Sequence, residues 1–86
     1  MENLLNYKSR SGFMVAKALE ASSQGVFKAI YTKGSDESLI GGSVILKIED
    51  EVKKGDLISI PLVIKDTKFG EQEVLDLENI RKLING

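Results

Sequence analysis

The run Leu57-Ile58-Ser59-Ile60-Pro61-Leu62 sets Leu57, Ser59 and Pro61 against Ile58, Ile60 and Leu62. Alternation with a period of two sends one set toward a core and the other away from it, which predicts a strand over 56–65. Lys53-Lys54-Gly55-Asp56 ahead of it reads as a turn. Lys65 to Gly70 then breaks the apolar pattern, and Val74, Leu75, Leu77 and Ile80 return from it. The two runs predict an antiparallel hairpin, 56–65 with 71–77, folded across Lys68–Gly70. Ile58, Ile60 and Leu62 are expected inside, with Ser59 and Pro61 outward.

Upstream, Val26, Lys28, Ile30 and Thr32 alternate with Phe27, Ala29, Tyr31 and Lys33, a strand over 25–33. Phe13 to Ala21 admits two readings. As a helix it has favourable Ala, Leu, Lys and Glu content but spans only two to three turns with weak amphipathy. As a strand it places Phe13, Val15, Lys17 and Leu19 on one face and Met14, Ala16 and Ala18 on the other. The strand, over 12–21, is preferred because Ser22-Ser23-Gln24-Gly25 makes a hairpin loop into the next alternating run. Gly41-Gly42 predicts a bulge or bend before a short strand at 43–49. At the C-terminal end, Asp76 is expected to cap a helix with Leu77, Ile80, Leu83 and Ile84 on its apolar face. Met1 to Arg10 reads as a helical turn or an arm. Five short strands with glycine-marked bends predict one mainly β domain over 1–86, a small closed or nearly closed barrel with a C-terminal helical turn.

Composition narrows the chemistry. Among 86 residues there is no cysteine, histidine or tryptophan. Disulfides, thiolate chemistry and the commonest general base and zinc ligand are therefore excluded. Glu49-Asp50-Glu51 is a consecutive acidic run whose side chains alternate faces on a strand, unsuited to paired acid–base work. Gly34-Ser35 and Gly41-Gly42-Ser43 lack the spacing and lysine of a phosphate-binding loop. The expectation is a protein that is not an enzyme and needs no metal or cofactor. Net charge is −1, yet residues 1–34 hold five basic and two acidic residues, and 35–86 hold seven and eleven. That asymmetry predicts a polarised surface. No run has the length to span a membrane and no signal-peptide pattern opens the chain, so a cytoplasmic protein with no membrane partner is expected.

A resemblance enters with the order of these elements. Val44-Ile45-Leu46-Lys47-Ile48, Gly55-Asp56-Leu57-Ile58-Ser59-Ile60, Phe69-Gly70 and Asn79-Ile80-Arg81-Lys82-Leu83 follow a pattern that resembles the small OB-fold single-stranded-DNA-binding proteins of bacteriophages, filamentous phages included. The likeness covers residues 25–83. It implies a five-stranded OB-like barrel that binds single-stranded DNA, or RNA, with little sequence preference in phage DNA replication, as a homodimer. This chain departs from the family in being less basic and poorer in tyrosine. It also ends in Arg81-Lys82-Leu83-Ile84-Asn85-Gly86, where bacterial single-strand-binding proteins carry an acidic tail.

Such binding needs aromatics to stack bases and cations to follow phosphates. Strand alternation puts Phe27, Tyr31 and Lys33 on one face, the expected stacking platform, although aromatics on a small barrel are also its natural core. Arg10 and Lys17 extend the basic track. Lys68 and Phe69 sit at a hairpin tip, where a phenylalanine beside a lysine would clamp a base or fold back onto the barrel. The rival expectation is a small adaptor or inhibitor that binds another protein, of unknown identity, through a sheet edge or its acidic half.

Overall fold

A computed structural model describes residues 9–83 of the chain, with the side chains of Ser9 and Arg10 outside that description. Of the stretch Met1 to Arg10, read as a helical turn or an arm, Met1 to Lys8 lie outside the described residues, as does Ile84 of the expected helix, whereas Ser9 and Arg10 open the first strand.

Among the described residues, six strands form one antiparallel sheet: β1 (Ser9–Ala18), β2 (Val26–Gly34), β3 (Ser43–Lys47), β4 (Leu57–Thr67), β5 (Gly70–Leu75) and β6 (Arg81–Lys82). Their spatial order is β3-β2-β1-β4-β5, with β6 also on β4. Three consecutive strands followed by a fourth that returns beside the first is a Greek-key path. The sheet curls into a half-barrel, consistent with a small OB-like β fold. The expected 12–21 strand and its pairing with 25–33 are observed as β1 and β2. The later hairpin is observed as β4 and β5, paired from Leu62↔Leu75 to Thr67↔Gly70.

Each turn has a local cause. Gln24 (φ 55°) and Gly25 (φ 83°) both take positive φ between Ser23 and Val26. That is the type I′ geometry whose twist matches a hairpin. The Lys53–Asp56 turn closes through Asp56 N–H to Lys53 O at 3.0 Å and Lys53 N–H to the Asp56 carboxylate at 2.9 Å. It is latched to the end of β1 by Gly55 N–H donating to Ala18 O and Ala18 N–H donating to Asp56 O. Gly41-Gly42 bends the chain after a 3-10 turn at Glu37–Leu39 and leads into β3.

The concave face holds the core: Met14, Ala16 and Ala18 of β1, Phe27, Ala29 and Tyr31 of β2, Leu46 of β3, and Ile58, Ile60 and Leu62 of β4. Val52, from the loop before β4, joins them. Its backbone is fixed by Ser22, whose hydroxyl accepts from Val52 N–H and whose N–H donates to Val52 O.

Three expectations are corrected. Pro61 is buried, not outward in the sense of solvated. It does lie on the face opposite Ile60, but mid-sheet against Phe13 of β1, and its carbonyl accepts from Asp76 N–H at 2.8 Å. The C-terminal helix is replaced by a turn and β6. The buried Asp76 carboxylate accepts from Glu78 N–H (3.3 Å) and Asn79 Nδ2 (2.7 Å). So short a segment gains little from helix formation, and Arg81 and Lys82 instead pair with the Ser59 and Ile58 backbone. The third correction is a register shift between Val15 and Ala16 of β1, where Tyr31 faces Ala16 and Lys33 faces Val15. Thr32 is the extra residue of this bulge, and one extra residue reverses the alternation beyond it. Lys33 is thereby turned to the face opposite Phe27 and Tyr31.

Candidate functional site

The convex face of the sheet is built from the residues that alternate with the core. Cross-strand pairs define its rows. Val15 of β1 lies between Lys33 of β2 and Ser59 of β4, and Arg81 of β6 follows Ser59. Lys17 lies between Ile30 and Leu57. Lys28 faces Ile45, and Val26 faces Lys47. In the other direction Phe13 faces Pro61, Val63 faces Val74, and Lys65 faces Gln72.

Six cations therefore stand on one face: Lys17, Lys28, Lys33, Lys47, Lys65 and Arg81, all exposed. None forms an ion pair among the described residues. Arg10, opposite Val63, falls in the same register. The strands contribute no carboxylate to this face. Asp66, Glu71 and Glu73 project from the other side of the β4–β5 hairpin, in register with Ile64 and the concave face. Glu20, just past β1, spends its carboxylate on the Lys28 N–H at 3.1 Å. The near-zero net charge thus conceals two surfaces of opposite sign.

The residues singled out from sequence separate accordingly. Phe27 (0 % exposed) and Tyr31 (5 % exposed) are core, so the expected stacking platform of Phe27, Tyr31 and Lys33 does not exist on the surface. The Tyr31 hydroxyl is buried without a hydrogen-bond partner among the described residues, and burial raises its pKa. Lys17 and Lys33 are brought together on the convex face. Lys68 and Phe69 occupy the tip of the β4–β5 hairpin, where Phe69 is 81 % exposed and the Lys68 ammonium lies 5.8 Å from its ring centroid. Phe69 does not fold back onto the sheet.

Sequence reasoning missed Phe13, Lys28, Lys47, Lys65 and Arg81. Phe13 is 48 % exposed on the convex face. The alternation of β1 had already grouped it with Lys17, which was the available signal. For Arg81 there was none, because the segment read as the approach to a helix end.

Elsewhere the structure offers little chemistry. Among the described residues no group of three acidic side chains is arranged to hold a metal ion. No described helix is long and apolar enough to cross a membrane. Near the end of β3, an open cleft of about 360 Å³ lies between Lys47–Asp50 and Leu77, Glu78 and Ile80. Protein-family models, curated proteins and solved structures contain no match to this chain.

Proposed function

We propose that this protein binds single-stranded nucleic acid along the convex face of its sheet, without catalysis and with little sequence preference. The observation that carries the reading is the array of Lys17, Lys28, Lys33, Lys47, Lys65 and Arg81, to which the strands add no carboxylate and of which none is spent on an ion pair among the described residues. Phosphates are the ligands that such an array favours, and release of their counterions supplies the driving force. Interleaved Phe13, Ile30, Ile45 and Leu57 offer apolar surface to unpaired bases, which a duplex keeps stacked inside. The curvature of the face and the projecting Phe69 suit a flexible strand better than a rigid rod.

The test is fluorescence anisotropy of labelled oligo-dT, oligo-rU and a duplex, titrated at low and moderate salt. The single strands are expected to bind and the duplex to bind more weakly. If all six cations engage phosphates, the slope of log K against log salt is about −4, at roughly 0.7 per contact. Absence of single-strand binding at low salt would overturn the reading and favour a protein partner.

A further inference from the structure

Phe13 stands at the edge of a shallow depression of about 220 Å³ lined by Gly12, Phe13, Ser59 and Pro61. Its floor is rigid, because Pro61 is buried directly across from Phe13 in the β1–β4 ladder. Gly12 forms its wall with backbone alone, because Ser35 occupies the place where a side chain of residue 12 would stand. The Phe13 backbone is held at both ends by Ser35, which receives Phe13 N–H on its hydroxyl at 3.1 Å and donates its own N–H to Phe13 O at 2.8 Å. The half-buried Ser59 hydroxyl makes no hydrogen bond among the described residues, so a donor and an acceptor remain unspent there. Lys33 and Arg81 flank the next row, three strand spacings apart, or about 14 Å.

Resting on the nucleic-acid reading above, we propose that this depression seats one unpaired nucleobase. The base stacks on the Phe13 ring, the Ser59 hydroxyl meets its polar edge, and Lys33 and Arg81 take neighbouring phosphates. The depression is on the scale of a single base. A hydroxyl that both donates and accepts serves any base, which fits binding without sequence preference. Phe69 is the weaker candidate, because Lys68 already lies over its ring.

The experiment compares oligo-dT with an abasic oligonucleotide of equal length, which keeps the phosphates and lacks the bases. The chain has no tryptophan, so Phe13→Trp reports from this one position. Its emission is expected to be quenched by oligo-dT and not by the abasic strand. Phe13→Ala is expected to weaken oligo-dT binding about 5- to 150-fold and to leave abasic binding unchanged, whereas Lys33→Ala weakens both. Phe13→Leu, which keeps the apolar bulk, is expected to lose the preference as Phe13→Ala does, and it replaces Phe13→Ala if that variant melts early. Unchanged Phe13→Trp emission while anisotropy shows oligo-dT bound would overturn the base seat and leave the nucleic-acid reading standing. Failure of both oligonucleotides to bind wild-type protein would overturn that reading, and this proposal with it.

Discussion

Ser35 holds Phe13 by both its N–H and its carbonyl, and it reaches that position only because residue 12 is glycine. A Cβ on Gly12 would collide with the Ser35 hydroxyl. Gly12→Ala is therefore expected to push Ser35 away and to lower stability by about 1–3 kcal/mol. Ser35→Ala removes one hydrogen bond without a clash and should cost about 0.5–1.5 kcal/mol. Urea melts of the two variants give the comparison, and equal costs would mean that the close approach does not matter.

Ile60 is fully buried on the concave face, and its neighbour Ser59 lies on the convex one. Ile60→Ala is expected to cost about 2–5 kcal/mol, a large share of the stability of so small a domain. Ser59→Ala should cost far less in the same denaturant melts. Similar losses would place the β4 register one residue away.

Tyr31 offers a change in the opposite direction. Its buried hydroxyl has no partner among the described residues, so Tyr31→Phe removes an uncompensated polar group and is expected to stabilise by up to about 1–3 kcal/mol. Burial also raises the Tyr31 pKa above its ordinary 10.0. The folded state then holds this proton more tightly than the unfolded chain does. The contribution of this group to stability is unchanged below pH 10 and falls as pH rises through the folded value. Thermal melts from pH 9 to 11 should show an alkaline decline that is shallower in Tyr31→Phe.

Asp56 governs the acid side. The Lys53 N–H, assisted by the Lys82 ammonium 3.6 Å away, holds its carboxyl below the ordinary 3.8 against an opposing desolvation. A lowered folded pKa contributes stability above the unfolded value and loses it as pH falls through the folded one. Asp56→Asn is expected to melt lower at neutral pH and to narrow its gap to wild type below pH 4.

The two faces of the sheet make a charge-specific prediction for binding. Lys17→Ala, Lys28→Ala and Arg81→Ala should each flatten the salt dependence of oligo-dT binding by about 0.7. Glu71→Gln and Glu73→Gln, on the opposite face, should leave the slope unchanged. A slope indifferent to all five changes would remove the convex face from consideration.

Much of this architecture was legible in the chain. Alternation in Leu57–Leu62 and Val26–Tyr31 gave the strands and the core side of each, and Gly25 and Gly55 marked two of the turns. The candidate site was far less legible, for identifiable reasons. A period-two reading cannot register an extra residue, so the bulge at Thr32 hid the true side of Lys33. Aromatics on a strand look alike whether they stack on a ligand or fill a core, and curling of the sheet decided for the core at Phe27 and Tyr31. Asp76 carries a capping signal that a helix and a short turn share, and pairing of Arg81 and Lys82 with β4 selected the turn.

Thr32 acts as a phase shifter within the ladder. Deletion of this single codon would remove the bulge and leave Lys33 against Val15, on the convex face it already occupies. A regular ladder that kept Thr32 would instead set Thr32 against Val15 and point the charge of Lys33 toward the apolar interior. The side chain of Thr32 is therefore of less account than its place outside the pairing. Thr32→Ser or Thr32→Val leaves the two surfaces as they are, whereas a second inserted residue would have to be looped out in the same way to keep Lys33 in water.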